Sequence, residues 1–512
     1  MRPGEIRAGS RRPFGHGGQD VGIGSCGELS ECLLGLTILA GRVRGHEQRP
    51  HLLWGERDLG EVVLILRDAI ALLNLPDVRW SKLYRDAHLP QDVLVSLEHA
   101  LGRADVRLLV GRHYLPDVLE RESAAGVQEQ GHQVDQSLQR VHAGDDNAEM
   151  IRLRRGTVLQ VVEVRPGAAE ISVEVEGAAA RAIAYTALVG TVAPGDRVLL
   201  NTTAVHIGLG TGGLHFVVAV EGSVDPAYSQ TGRIMKLRYT PHQVEVQSVE
   251  EVGSASRAAM EAAEGLDGLP VVWSPLHSMV GLAAAGARAA GARRVAYVMT
   301  DGAALPAPLS RLTASLRSEA LLDAVITCGQ AFGGDLEAVN VFSGLLAARH
   351  VVGADVIVVG DGPGNTGTGT TWGSTDLESA MSLNATHILG GRPVAALRIS
   401  FADPRERHRI VSHHSLTALG RVAIASVHVA VPSIDDEGRR SAVWDALRAA
   451  RLHERHQLIE VSGQPALDLL SASGIESESM GRKPSDDPEF FLAAGAAGVL
   501  AGRMAAGDRK WS

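Results

Sequence analysis

Beginning at Ala324, the stretch AVITCGQAFGGDLEAVNVFSGLLAARHVVGADVIVVGDGPGNTGTGTTWG sets a glycine-rich loop on each side of one helical segment. A short apolar run, Ala324–Thr327, leads into Gly329, Gly333 and Gly334. Amphipathic spacing then predicts a helix over Leu336–Val351, with Asp335 as its N-cap and Gly353 as its stop. Val356–Val359 reads as a second buried strand, and the run that follows carries Gly360, Gly362, Gly364, Gly367 and Gly369. Strand–helix–strand units of this kind build parallel sheets, which bind ligands beyond the carboxyl ends of their strands. Both loops fall at such ends. That locates a ligand without naming a reaction.

The pattern continues through the C-terminal half. Val271–Trp273, Val295–Met299, Val394–Ile399, Val422–Val431 and Leu458–Val461 read as further strands. Between them, Met279–Ala290, Leu309–Leu322 and Leu377–Leu389 read as helices. Such alternation predicts an α/β domain over residues 262–512, a mainly parallel sheet with helices on both faces. Ahead of it, residues 150–250 hold short β-rich runs such as IRLRRGTVLQVVEV and LHFVVAV, parted by Pro-Gly, Gly-Asp and Gly-Gly turns. They predict a small all-β module, a barrel or a sandwich. Its loop Asn201–Gly213, NTTAVHIGLGTGG, either approaches a ligand or is a long turn. Residues 1–149 lack this punctuation, so Met150 is the expected start and residues 1–149 an upstream extension, poorly ordered or irregularly helical. A divergent helical domain is the alternative.

Composition narrows the function classes. The 512 residues are 45% hydrophobic, enough for two or three domains with a large core. A net charge of -10 and a pI near 6.1 argue against general nucleic-acid or anionic-membrane binding. Cys26, Cys32 and Cys328 cannot build a disulfide framework, so a reducing cytoplasm is expected. No apolar run reaches the roughly 18 residues of a membrane span.

If the strands are parallel, the polar residues that follow them share one edge of the sheet. His277, Asp301, Cys328, Gln330, Asp361, Asn365 and Asp403 all stand just after strand runs. The loop DGPGNTGTGT has neither the Gly-Lys-Ser/Thr of a Walker A loop nor the spacing of a dinucleotide fingerprint, but its amides suit a phosphate or carboxylate. The ligand-binding candidates are Gly329, Gly333, Gly334, Gly362, Gly364, Asn365, Gly367, Gly369, Arg405 and Arg407. Asp301, Asp361, His408, His413 and His414 are the candidate catalytic groups, carboxylates and imidazoles suited to acid–base work near neutral pH. Plainer readings stand beside these. GQAFGGD is also a tight turn with an N-cap, DPRERHRIVSHHS a solvated charged loop, and Cys328 a small buried hydrophobe. If His413 and His414 lie in a strand, they point opposite ways and one reaches the cleft. A two-His metal site needs a carboxylate or a third His, which Asp301 or Asp361 supplies only through folding. No metal ligand is therefore assigned, and the cofactor is left open.

Several long motifs occur in one order: RRGTV, GDRVLLNTTA with GLGTGG, AYVMTDGAALP, GQAFGGDLEAV, GPGNTGTGT, DPRERHR with VSHHS, and MGR followed by DDP. In these the chain resembles the uncharacterised bacterial family known as domain of unknown function 3866, over residues 150 to about 500. The resemblance implies no activity, cofactor or catalytic residue, and it begins at Met150. Trp273 and Ser274 depart from the smaller aliphatic or acidic residues expected there, at a possible cleft wall. The function expected from the residues is a hydrolase or transferase acting on a small phosphorylated or carboxylated metabolite. The alternative is a non-catalytic ligand sensor or protein-interaction adaptor.

Overall fold

A computed structural model describes residues 151–222 and 232–508, within one compact unit spanning Asp146–Ser512. The expectations for residues 1–149 lie outside the described residues. The β-rich runs form a closed five-stranded barrel. Strand β1 (Leu153–Arg165) pairs antiparallel with β2 (Ala168–Val175) and β4 (Arg197–Asn201), and β2 pairs with β3 (Ala178–Tyr185). β3 runs parallel to β5 (Leu214–Val220), and β5 closes antiparallel onto β4. One long strand serves two neighbours because register shifts at Val158/Gln160 and Val161/Glu163 bend it. Val158, Ile171, Val173, Ala182, Val198 and Leu200 fill the interior, so the module is a barrel of the Greek-key kind and not a sandwich. Its Asn201–Gly213 loop is a solvent-facing turn around one helical turn, Thr203–His206, with Gly208, Gly212 and Gly213 at positive φ.

The barrel docks through charge. Buried Arg165 donates from Nε to Pro308 O at 2.9 Å and pairs with Glu170 at 3.0 Å, while Arg311 Nε reaches Glu170 Oε1 at 3.0 Å. A hairpin of β6 (Ile234–Lys236) and β7 (Val244–Val246) follows.

The second part is an eight-stranded, wholly parallel sheet. Its strands are β8 (Pro270–Trp273), β9 (Val295–Thr300), β10 (Ala324–Thr327), β11 (Leu336–Glu337), β12 (Val356–Asp361), β13 (Arg392–Ala395), β16 (His428–Pro432) and β17 (Gln457–Val461). A two-stranded ribbon of β14 (Ile399–Ser400) and β15 (Ile410–Val411) stands apart. The order across the sheet is β11-β10-β9-β12-β8-β13-β16-β17. Alternate side chains of each strand enter different cores. Val272, Val295, Tyr297, Val356 and Val358 join one that holds the helices Val280–Ala289 and Pro488–Ala505. Val271, Trp273, Ala296, Val298 and Ile357 join another, with Leu345, Leu383, Leu419 and Val443. Helices therefore cover both faces, as period-two alternation of apolar residues requires. Gly286 and Gly498 bring two helices into backbone contact: a Cβ on Gly498 would lie 2.0 Å from Ala283 O. Phe490 and Phe491, both buried, anchor the last helix. No helix among the described residues is long and apolar enough to cross a membrane.

Several local expectations are corrected. Leu336–Glu337 extends the sheet as β11, and the helix starts at Val341 behind an Asn340–Ser343 capping box. Asp335 is no N-cap: it accepts from Val325 N at 2.8 Å and pairs with Arg317. His413 and His414 open a helix, His413–Thr417, and do not alternate along a strand. Trp273 is no cleft wall. It is wholly buried, and its Nε1 donates to Ser379 Oγ at 3.1 Å.

Candidate functional site

The chain enters the sheet at β8, moves through β9, β10 and β11, returns at β12 between β8 and β9, and crosses to β13 on the far side. The direction of winding therefore reverses around β12, β8 and β13. Such a reversal parts the loops at the carboxyl ends and leaves a crevice between them. A cleft of about 400 Å³ lies there. Leu276, His277 and Ser278 line it after β8, Pro363–Gly367 after β12, and Arg398, Arg405, Arg407, His408 and His414 after β13. Three guanidinium groups face two lining carboxylates, Asp376 and Glu478.

The second glycine loop covers this cleft with its backbone partly open. Thr368 N bonds Gly373 O at 2.8 Å, and Thr366 N bonds Thr375 Oγ1 at 3.1 Å. The amides of Gly364, Asn365, Gly367 and Gly369 have no protein acceptor among the described residues. Gly369 stands against the exposed Arg407 guanidinium, where a Cβ would lie 3.5 Å from Cζ. Gly362 serves packing: a Cβ there would lie 2.5 Å from Met299 Cε and 2.6 Å from Ala304 O.

Below the loop, three imidazoles converge. The ring centroids of His413 and His414 are 4.1 Å apart, and His408 lies 5.4 and 5.1 Å from them. One ring nitrogen from each falls within 4.8 Å of the others. His408 Nδ1 meets Ser412 Oγ at 2.9 Å, and His414 Nδ1 meets Ser374 Oγ at 3.1 Å. Ser374 in turn gives its hydroxyl proton to Asp376 Oδ1. Its oxygen can then only accept, so His414 donates from Nδ1 and turns its Nε2 edge away from Ser374. Asp376 Oδ2 lies 3.4 Å from the same Nδ1. Burial pushes the His408 imidazole down to about 3, with the charges of Arg398 and Arg405 acting the same way. Burial and His414 also lower His413. Both rings are neutral at pH 7.

Beside them, Asp403 holds the arginines in place. It contacts Arg405 at 2.8 Å, Arg398 at 3.3 Å and Arg482 at 3.5 Å. Burial works against its charge, but the hydrogen bonds and charges of Arg405 and Arg398 keep the carboxyl well below the usual range. Burial lowers Arg398 to about 10, still charged at neutral pH. Arg405 is thus committed to Asp403, and Arg407 is the freer cation.

Other expected site residues sit elsewhere. Exposed Asp301 does not line the cleft: it accepts from Gln330 N at 2.8 Å and abuts Gly329. Asp361 is buried beneath the loop, accepting from Thr300 Oγ1 at 2.6 Å, Gly302 N at 3.1 Å and Asn365 Nδ2 at 3.0 Å. Burial raises its carboxyl to about 6 against the pull of Thr300 and Gly302. Among the described residues neither aspartate is hydrogen-bonded to His408, His413 or His414. Gly333 and Gly334 line a different crevice, shared with Arg165, Tyr185 and Pro308 of the barrel junction. Their amides are spent on Glu337 Oε1 at 2.7 Å and Thr327 Oγ1 at 3.3 Å. His277 is held by Ser310 Oγ at 2.6 Å and Tyr297 OH at 3.3 Å, and burial lowers it to about 4. Ser374, Asp376 and Arg398 escaped sequence reasoning. Arg398 interrupts the apolar run Val394–Ile399, three residues past the end of β13, and the Ser-Thr-Asp before Leu377 is a helix-start pattern, which were the available signals.

The fold and cleft define a class: a parallel α/β protein with a histidine- and arginine-lined crevice where its winding reverses. The chain belongs to the family described as protein of unknown function DUF3866, whose model matches residues 181–498. That span contains the whole parallel sheet and every cleft residue named above. No curated protein and no solved structure matches the chain.

Proposed function

We propose that the cleft binds a small phosphorylated or carboxylated metabolite and that the protein is a hydrolase or transferase acting on it. One observation carries this reading: Gly364, Asn365 and Gly367 with unspent amides, Arg407 and Arg405, and the rings of His408 and His414 all line one crevice at the strand ends. Amides without acceptors and guanidinium groups are the usual partners of phosphate and carboxylate. The histidine cluster supplies the reactive nitrogens, with His414 oriented through Ser374 and Asp376. Cys328, free and buried, supports a reducing cytoplasmic setting.

The sensor reading predicts that polar groups in the cleft need no mutual orientation. The Ser374–Asp376–His414 chain weighs against it. Turnover should be sought with the full-length protein on a panel of phosphate esters, carboxylic esters and phosphoryl acceptors. For any substrate found, Asp376→Asn should lower kcat by about 100-fold or more with the fold intact. An unchanged kcat would remove the histidines from the chemistry.

A further inference from the structure

Three imidazoles rarely converge without a common partner, because each buried ring nitrogen must otherwise find its own hydrogen bond. Here two do not. His413 Nε2 and His414 Nε2 are buried with no hydrogen-bond partner among the described residues. His408 has its Nδ1 on Ser412 Oγ, which leaves Nε2 as its free nitrogen. The opposite edge of His414 is fixed by Ser374 and Asp376, the carboxylate-and-histidine arrangement that orients imidazole ligands toward metals. Gly367 leaves the approach to His414 open, since a Cβ there would fall 2.9 Å from Cε1 and 3.5 Å from Nε2.

We propose that His408, His413 and His414 bind a divalent first-row transition ion of the zinc type through one ring nitrogen each. Imidazole suits Zn²⁺, and three histidines with a fourth open position make a known type of reactive zinc centre. Zinc–nitrogen bonds of roughly 2.0–2.1 Å place tetrahedral ligand atoms about 3.4 Å apart. The observed atoms lie within 4.8 Å of one another, so ligation asks for side-chain shifts of about 1 Å. His408 and His414 line the cleft, so the fourth position opens toward the loop amides and Arg407. The nearby Arg398 and Arg405 charges are countered by Asp403, and Asp376 adds a negative charge behind His414. A water on such an ion is a far stronger acid than free water, which is what a hydrolase needs for a nucleophile.

This inference deepens the enzymatic reading of the same cleft, but its test reads metal rather than turnover. Full-length protein, stripped with a chelator, is titrated with Zn²⁺ against a chromophoric competitor. X-ray absorption at the zinc edge then counts imidazoles. The expected result is one tight equivalent with three imidazole nitrogens at about 2.0–2.1 Å. His413→Ala should weaken that equivalent by about 100-fold or more. Asp376→Asn should weaken it by about 10–100-fold with the imidazole count retained, as for a positioning residue. Folded wild-type protein without a tight equivalent, or with fewer than three imidazoles on the ion, overturns the proposal. Undiminished affinity in His413→Ala does the same. Should that variant not fold, the wild-type absorption spectrum decides alone. Failure here would leave anion binding in the cleft standing, because anion binding is measured separately.

Discussion

The two glycine-rich loops flank the same strand–helix–strand unit and look alike in sequence, yet they do opposite things. After β10, the loop containing Gly329, Gly333 and Gly334 closes on itself. Glu337 accepts from Gly333 N and Thr327 Oγ1, and pairs with Lys236 at 3.4 Å. Lys236 Nζ also donates to Ala331 O at 2.9 Å and Ala338 O at 3.0 Å, tying the β6–β7 hairpin to the loop. After β12, the loop through Gly364, Gly367 and Gly369 leaves amides unspent and lies over the histidines. Sheet position explains the contrast. β12 borders β8 at the reversal, whereas β10 lies beyond β9, away from the crevice. Glycine content marks where the backbone must turn, and the fate of the amides decides whether a ligand can use it.

The first loop depends most on Glu337. Glu337→Ala leaves the buried Lys236 ammonium without its carboxylate and should cost about 3–5 kcal/mol in denaturant unfolding. A cost below about 1 kcal/mol, within the range of an exposed pair, would show that the first loop is not held this way.

A somewhat smaller effect separates the base of the second loop. The Asp361 carboxyl binds its proton more tightly in the folded chain, at about 6, than in the unfolded chain, at about 3.9. The group therefore favours folding fully below about pH 4, and that contribution is lost as pH rises through about 6. Asp361→Asn removes this dependence. The stability of wild type relative to the variant should fall by up to about 3 kcal/mol between pH 4 and pH 7. Parallel pH profiles of melting temperature would contradict the buried carboxyl.

The glycines of the two loops differ in how much room a side chain would find. Gly334→Ala drives a methyl to 2.7 Å from Val325 O and 3.0 Å from Thr327 Oγ1 and should cost about 1–3 kcal/mol. Gly364→Ala meets nothing within 4 Å, so only its φ of +92° opposes the change, at about 1 kcal/mol. Thermal unfolding of both variants checks the ranking, and the reverse order would contradict it.

Much of this architecture was legible because it is local. The apolar runs and their spacing marked β8, β9, β10, β12 and β17, and turn residues marked the barrel strands. What failed was set by neighbours. Leu336–Glu337 fits the first turn of an amphipathic helix and becomes a strand because β10 offers an open edge. Val422 and Ala423 look like the start of a strand, yet a π-turn over Ala418–Val422 delays β16 to His428. In the site, the adjacent histidines could be named but not oriented. A helix start turns both rings toward His408, where a strand would have split them. Asp376 and Ser374 reach His414 across 38 and 40 positions of sequence, a proximity that no spacing rule reveals.

Whether the second loop and not the first presents a ligand site is decided by thermal shift on the full-length protein with phosphorylated and carboxylated metabolites. A ligand of the folded state at 100 times its Kd adds about 2.7 kcal/mol. At least one such compound should raise the melting temperatures of wild type and Gly334→Ala by similar amounts, with little or no rise for Arg407→Ala. A panel without any stabilising compound, or a shift kept in Arg407→Ala and lost in Gly334→Ala, would contradict it.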